Sequence, residues 1–268
     1  MFRRATALLL VLPFAAAAQT GRGVADQIHT PRSDDWSLGV GVSIRDSAYA
    51  GEGTRIRPGP LVTYQGERFF WNGLTGGIHL VRNQSVQLDA ILSGRFDGFD
   101  IDDLGRAELA ANGLDADLLE DRDDALDAGF ALTWRGRGGV LAVRALADIT
   151  DTSGGQEFSV AYGYPIHIGR TTLVPGVAAR WMSSDLADYY YGTGTLDGER
   201  ARGVREYAPG SVVVPRASLG FSRPLGDKWR LLGSLDYEVL PDELADSPLM
   251  EPDTDGTARL MIGIARGF

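Results

Sequence analysis

The densest group of titratable side chains lies between residues 97 and 127, where twelve acidic residues and two arginines give a net charge of −10. Hard divalent cations prefer clustered carboxylate oxygens, so one interpretation of this acidic segment is cation capture. Its aspartates do not follow the spacing of an EF-hand loop, and the glycine and final glutamate of such a loop are missing. The favoured interpretation is therefore a solvated acidic loop that keeps one surface of the protein soluble.

Three histidines, His29, His79 and His167, are the other candidates for chemistry. A histidine beside a serine nucleophile could hydrolyse a lipid ester. No serine stands near His79 or His167 at a recognisable spacing, although a catalytic triad is assembled in space and not in sequence. Lipid hydrolysis is thus the weakest hypothesis, and the sequence predicts no catalytic residue, no cofactor and no metal site. Cysteine is absent, which excludes disulfides, cysteine-based metal sites and a lipid-bearing thiol.

A third set of charged residues recurs at alternate positions within apolar runs. Such positions place the charges on one face of extended strands, and we expect them to line the inside of a barrel. Their mixed signs favour a network of salt bridges that fills a narrow lumen, with the selective lining of a solute pore as the alternative. The predicted lumen-lining residues are Asp89, Arg95, Arg144, Asp148, Arg180, Arg216, Arg230, Asp236 and Glu238.

The strands that would position these charges are clearest in residues 229–240. Trp229, Leu231 and Tyr237 share one face of an extended chain there, and Arg230 and Asp236 share the other. Similar runs continue to the last residue, and counting the short run 68–71 separately gives twelve strands, with ten as the alternative. The predicted strands are 36–44, 60–64, 68–71, 76–81, 86–96, 126–135, 140–149, 157–167, 172–182, 211–222, 228–240 and 257–268.

This pattern indicates an all-β protein, specifically a closed antiparallel transmembrane β-barrel. A bilayer leaves only apolar helices or a closed barrel to satisfy the backbone, and no stretch after the N-terminus has the length of apolar sequence that a spanning helix needs. A soluble β-sandwich in the periplasm is the structural alternative. Long connections at 97–125, 183–210 and 241–256 contrast with short turns elsewhere, as in bacterial outer-membrane barrels.

Prolines and aromatic residues refine this prediction. Pro165, Pro175 and Pro215 fall inside predicted strands, and because proline cannot donate to a strand ladder, we expect bulges or strand ends there. Aromatic side chains favour the headgroup zone of a bilayer, so most are expected in two girdles. For the triplet Tyr189 to Tyr191, girdle or loop packing is favoured over carbohydrate stacking.

The N-terminus predicts export. Arg3 and Arg4 precede an apolar run and a stretch of alanines, which together are typical of a cleaved secretory signal over residues 1–18. A polar periplasmic leader, 19–35, then precedes a single barrel domain, 36–268. The net charge of −10 becomes −12 once both arginines are removed, which argues against nucleic acid as a partner. The predicted location is the outer membrane of a Gram-negative cell, with lipid around the barrel.

Several short motifs, in order, extend over nearly the whole chain after the signal. Through them the chain resembles the MipA/OmpV family of outer-membrane proteins, also called MltA-interacting proteins. One departure is Arg266, which stands where barrel C-termini usually carry an apolar side chain. The motifs are Tyr49-Ala50-Gly51, Pro60-Leu61-Val62-Thr63-Tyr64, Arg68-Phe69-Phe70, Arg95-Phe96-Asp97-Gly98-Phe99, Leu119-Glu120-Asp121-Arg122, Leu126-Asp127-Ala128-Gly129, Asp148-Ile149-Thr150-Asp151-Thr152-Ser153-Gly154, Asp188-Tyr189-Tyr190-Tyr191-Gly192, Ser247-Pro248-Leu249 and the terminal phenylalanine.

The resemblance implies a protein that is not an enzyme. It implies a scaffold that brings a lytic murein transglycosylase together with a penicillin-binding protein and so couples the cutting of peptidoglycan to its synthesis. A small-solute, porin-like channel is the alternative. The sequence leaves open which loops make contacts, whether the barrel oligomerises and whether the acidic segment binds divalent cations.

Overall fold

A computed structural model of the protein describes residues 35–268. The predicted signal and nearly all of the predicted leader therefore lie outside the described residues. Thirteen strand segments form one antiparallel sheet that closes on itself. They are β1 (Asp35–Asp46), β2 (Thr54–Gln65), β3 (Phe69–Asn72), β4 (Thr75–Arg82), β5 (Val86–Arg95), β6 (Ala125–Gly136), β7 (Gly139–Asp148), β8 (Gln156–Gly163), β9 (Ile166–Ile168), β10 (Thr171–Met182), β11 (Val212–Pro224), β12 (Trp229–Val239) and β13 (Gly256–Gly267).

Closure follows from two pairings between distant parts of the chain. β1 pairs with β13 from Ser37 opposite Gly267 to Arg45 opposite Arg259. The rest of the wall follows chain order, and β10 pairs with β11 to complete it. Both β8 and β9 pair with β10, so they are two parts of one strand interrupted at Tyr164 and Pro165. The prediction of a twelve-stranded closed barrel is confirmed.

The three prolines behave differently from one another. Pro165 ends a strand, as expected, but Pro175 and Pro215 remain within an unbroken β10–β11 register, so the expected bulges or ends there are wrong. The Pro175 carbonyl accepts from the Tyr164 N–H, which shows that Pro175 faces the interruption between β8 and β9. By the alternation of antiparallel pairs, Pro215 faces β12, whose pairing with β11 begins only at Arg216. At both prolines, the backbone N–H that proline lacks would lie on the side where no ladder hydrogen bond is formed.

The wall has one short section, between β2 and β5. The β3–β4 hairpin is small, and β3 pairs with only the last three residues of β2, Thr63 to Gln65. The earlier part of β2 therefore presents a free edge. The Val62 carbonyl accepts from Gly73 on this side, and alternation turns Pro58 and Pro60 the same way. Two prolines thus lie on the free edge, where they leave no N–H groups unpaired.

The outer surface of the barrel is apolar. Large hydrophobic side chains are exposed on nearly every strand, among them Val40, Ile56 and Val177 at 60 % or more. A girdle of aromatic residues surrounds one end, where Trp36, Trp134 and Trp229 are about half exposed. Arg266 lies near this girdle, with its guanidinium carbon 5.0 Å from the centre of the Phe268 ring. Within residues 35–268, no helix has the length and apolar character needed to cross a membrane.

The two ends of the barrel are unlike. At the turn end, strands are joined by the short connections 66–68, 83–85, 137–138, 169–170 and 225–228, and the described chain both begins and finishes there. At the loop end, segments 47–53, 96–124, 149–155, 183–211 and 240–255 make the connections. They contain the helices α1 (Arg106–Ala111), α2 (Ser184–Tyr191), α3 (Asp197–Ala201) and α4 (Asp242–Ala245).

The principal hydrophobic core lies at the loop end and not in the barrel wall. We call the three longest connections, 96–124, 183–211 and 240–255, together with segment 47–53, the cap. Its fully buried side chains include Leu109, Leu186, Tyr190, Leu244 and Leu249, which come from three different connections. Segment 47–53 joins them through a bridge in which Ala50 N donates to Leu249 O at 2.9 Å. The loops of this barrel are therefore folded together as one body.

Candidate functional site

A chain of buried ion pairs crosses the barrel beneath the cap. Arg95 of β5 lies 2.7 Å from Asp127 and 3.0 Å from Glu157, which belongs to β8. Arg180 then lies 3.8 Å from Glu157 and 3.7 Å from Glu238. Glu238 also pairs with Arg216 of β11. Two of these contacts, Arg95 to Glu157 and Arg180 to Glu238, join strands that are not neighbours, so the chain of ion pairs ties separate parts of the wall together through the interior.

The remaining predicted lumen residues form no part of this series of ion pairs. Arg144 donates one long hydrogen bond to Ser93 at 3.4 Å, and Asp236 accepts from Ser234 at 2.9 Å. The Asp148 carboxylate accepts from the backbone of Thr150, Ser153 and Gly154, so it orders the β7–β8 connection.

Arg230 is exposed at the turn end, and Asp89 belongs to a second polar cluster deeper in the barrel. The nine residues therefore serve at least three local arrangements.

The second cluster surrounds His79. Its Nδ1 lies 2.6 Å from Asp89, its Nε2 lies 2.7 Å from the Gln65 amide, and the Phe70 ring stacks on it. Both ring nitrogens are thus occupied. His167 is exposed on β9, and among the described residues neither of these histidines is hydrogen-bonded to a serine. This geometry lacks the contact between histidine and nucleophile that hydrolysis requires. His29 lies outside the described residues.

The cap is organised around Arg122, one of the two arginines of the acidic segment. Its side chain is fully buried and lies 3.0 Å from the equally buried Glu199 of α3. Its Nε donates to Tyr189 O at 2.6 Å, and Nη2 donates to Gly192 O at 3.0 Å. Glu199 in turn accepts from Gly194 N at 2.8 Å. Every strong partner of this charge pair belongs to segment 96–124 or 183–211, so Arg122 joins the two longest connections.

The acidic segment is not a freely solvated loop, which corrects the interpretation made from its charge. Leu104, Leu109 and Leu119 are buried in the cap core, while most carboxylates lie on its outer surface. Burial raises the pKa of the Asp124 carboxyl, although the hydrogen bond that this carboxyl accepts from the Gly98 N–H lowers it. Among residues 35–268, no group of three histidine or acidic side chains is arranged to hold a metal ion.

The tyrosine triplet packs inside the cap. Tyr190 is only 1 % exposed, so it does not contribute to a lipid-facing girdle. Tyr49 donates from its hydroxyl to Tyr190 O and lies 4.5 Å from the Phe99 ring centre. Burial, with the neighbouring charge of Asp97, raises the pKa of Tyr190 well above its ordinary value. Burial also raises the pKa of Tyr49 and Tyr191.

Sequence reasoning missed several charged residues that the structure brings inside the barrel. Arg45, Arg55 and Arg57 lie near the loop end of β1 and β2, facing the interior. The predicted first strand ends at Ile44 and the predicted second strand begins at Pro60, so all three arginines fall outside the predicted strands. The same alternation extended through residues 45–59 would have identified them.

Comparisons with known proteins place this chain among bacterial outer-membrane proteins. It is 28 % identical over 254 residues to the "Putative outer membrane protein YiaT" of Escherichia coli K12, covering 94 % of each chain. It is also 28 % identical to the "MltA-interacting protein" of the same organism, covering 87 % of this chain and 90 % of that one. Among solved structures, the NanC porin covers 85 % of this chain at 11 % identity, with a TM-score of 0.49.

The family comparison covers nearly all of the described barrel. The family model described as "MltA-interacting protein MipA" matches residues 38–268, from the middle of β1 to the last residue. Names of several relatives, including OmpV of Vibrio cholerae at 23 % identity, specify the outer membrane. The chain therefore belongs to the MltA-interacting protein family and is an outer-membrane β-barrel.

Proposed function

We propose that this protein is an outer-membrane scaffold that holds murein-remodelling enzymes at the periplasmic face, and that it is not itself an enzyme. The partners proposed are a lytic murein transglycosylase and a penicillin-binding protein. A relative that is named for its interaction with MltA supports the first partner class. The interior supports a structural role, because ion pairs that cross the barrel stabilise the wall and occupy the space of a wide channel.

The observation that carries the proposal is a basic rim at the turn end. Short turns of outer-membrane barrels face the periplasm, so this rim faces the compartment in which murein enzymes work. Seven exposed basic residues lie there, and they outnumber the exposed acidic residues Glu67 and Asp227. Such a surface attracts and orients an acidic partner. The basic rim consists of Arg68, Arg82, Arg137, Arg170, Arg223, Lys228 and Arg230.

Affinity capture with a matched pair of variants tests this proposal. Full-length protein in detergent is immobilised and exposed to a periplasmic extract, and recovered murein hydrolases and synthases are identified by mass spectrometry. We expect the rim variant R137Q/R170Q/K228Q to recover far less of them than the wild type. The control R200Q/R202Q/R205Q removes three exposed charges from the cap and is expected to recover as much as the wild type. Recovery of no murein enzyme by the wild type would contradict the scaffold role.

A solute channel is the second candidate, and the arginine-rich interior is the observation that favours it. Lumen charges tune which solutes pass through a barrel. Planar-bilayer recordings with the purified protein distinguish the two candidates. The scaffold proposal predicts no reproducible conductance steps from the wild type, whereas regular anion-selective steps would establish the channel.

A further inference from the structure

A small pocket of about 30 Å³ lies inside the barrel directly beneath the cap, between β1, β2 and residues 96–99. Since one water molecule needs about 10–15 Å³, the pocket has room for a small anionic group and not for a whole drug-sized molecule. Three arginines, three aromatic residues and two carboxylates line this pocket. These residues are Arg45, Arg55, Arg57, Tyr49, Phe96, Phe99, Glu52 and Asp97. The arginines therefore outnumber the carboxylates in the lining.

The arrangement of the arginines is electrostatically unfavourable by itself. Arg259, Arg45 and Arg55 stand directly opposite one another across the neighbouring strands β13, β1 and β2. Arg57 is two residues further along β2, opposite Ser43. Like charges directly opposite in a sheet repel and lower stability. An anion bound between them would relieve this repulsion.

Two of these arginines have no direct partner in the described part of the chain. Arg55 pairs with Glu52 and lies 3.0 Å from Asp103. In contrast, neither Arg45 nor Arg57 forms a hydrogen bond or an ion pair with any residue in the described part of the chain. This is unlike Arg95 in the same lumen, which contacts three carboxylates. Arg45 and Arg57 thus interact with carboxylates only at longer range, Arg45 with Glu238 and Arg57 with Asp124 and Asp103.

The pocket also lies at the short section of the wall. The free edge of β2, which carries Pro58 and Pro60, is the same stretch of strand that supplies Arg55 and Arg57. Segment 96–103 reaches β2 here through the contact between Asp103 and Arg55. A ligand could therefore enter from the exterior beneath the cap or from the lipid beside β2.

We propose that this pocket binds a phosphoryl group, with Arg45 and Arg57 as its principal ligands. Two guanidinium groups without a direct hydrogen-bonding partner match the double negative charge of a phosphate monoester, and each can form paired hydrogen bonds to its oxygens. The source is either a phosphorylated soluble molecule or the headgroup of a phosphorylated outer-leaflet lipid.

Calorimetry on the purified full-length protein in detergent tests the soluble source. Glucose 6-phosphate and inorganic phosphate are the probes, and glucose is the uncharged control. We expect inorganic phosphate to bind, and R45Q/R57Q to bind it about tenfold more weakly or worse, because two charged hydrogen-bonding partners are lost. R200Q/R202Q, with two charges removed from the cap surface, should bind like the wild type.

The lipid source is tested on the same preparations. Lipid that remains bound after purification is extracted, and its phosphorylated species are quantified by mass spectrometry. If the headgroup is the ligand, phosphorylated lipid accompanies the wild type and the cap control but is depleted in R45Q/R57Q. The double variant should also unfold at a higher temperature without ligand, since it lacks the repulsion, which shows that it folds. Absence of both kinds of binding in the wild type, or binding unaffected by R45Q/R57Q, would overturn the proposal.

Discussion

The loop end and the turn end of this barrel both carry many charged residues, but these residues have different roles at the two ends. The loop connections contain 24 acidic and five basic residues, yet they enclose the largest apolar core in the described part of the chain. The turn end has little core and an excess of exposed basic residues. Charge at the loop end covers a folded cap, whereas charge at the turn end is free to meet a partner.

This comparison separates stability from interaction. Removing a buried charge of the cap should unfold it, because an uncompensated partner remains in a medium of low polarity. Removing an exposed charge of the basic rim should leave the fold intact and change only what binds.

The largest effect is expected from Arg122→Ala. The substitution leaves Glu199 buried without its cation and removes the donors to Tyr189 O and Gly192 O. Breaking a buried, hydrogen-bonded ion pair costs about 3–5 kcal/mol. We expect the cap to lose its protection against proteases while the barrel remains folded, and limited proteolysis of segment 96–124 measures it. An equally resistant cap would show that Arg122 does not hold it together.

A somewhat smaller effect is expected from Arg95→Met in the lumen. Asp127 and Glu157 lose their closest cation, at a cost of about 3 kcal/mol, which lowers the midpoint of unfolding in guanidinium chloride. Arg144→Met is the matched control, since Arg144 donates only one long hydrogen bond to Ser93. If both variants unfolded at the same denaturant concentration, the ion-pair chain would not be stabilising the wall.

A pH-dependent effect should be confined to the cap. Burial raises the pKa of Tyr49, Tyr190 and Tyr191, so the folded cap holds these protons more tightly than the unfolded chain does. Their contribution to stability is present below the ordinary tyrosine pKa of about 10 and is lost as the pH rises above it. Proteolysis between pH 8 and pH 12 should show the cap opening in alkali, and Tyr190→Phe should move this opening to higher pH.

The smallest effect is expected from Arg106→Gln. Arg106 is the second arginine of the acidic segment, and its partners Asp102 and Asp117 are exposed to solvent. Exposed ion pairs contribute little to stability. The protease resistance of the cap and the unfolding midpoint should both equal those of the wild type. A loss like that of Arg122→Ala would mean that surface charge, and not burial, orders the cap.

Alternation predicted the barrel well because lipid and lumen impose opposite demands on neighbouring residues. It failed for residues that lie in neither lipid nor lumen but in the core of the cap. The acidic segment contains Leu104 and Leu109, whose burial depends on loops distant in the chain, so no local pattern could reveal the cap core. Pro58, Gly59 and Pro60 interrupt the apolar pattern near the start of β2, so the predicted strand begins at Pro60 and leaves out Arg55 and Arg57. Pairings such as Arg95 with Glu157 depend on which strands face one another inside the barrel.

The most direct test of the two-ended account is site-specific photocrosslinking in intact cells. A photoreactive amino acid is placed at Arg137, in a turn of the basic rim, or at Arg200, on the exposed surface of the cap. The account predicts that position 137 yields adducts with a murein hydrolase or synthase and that position 200 yields none. Adducts with these enzymes from position 200 alone would contradict it.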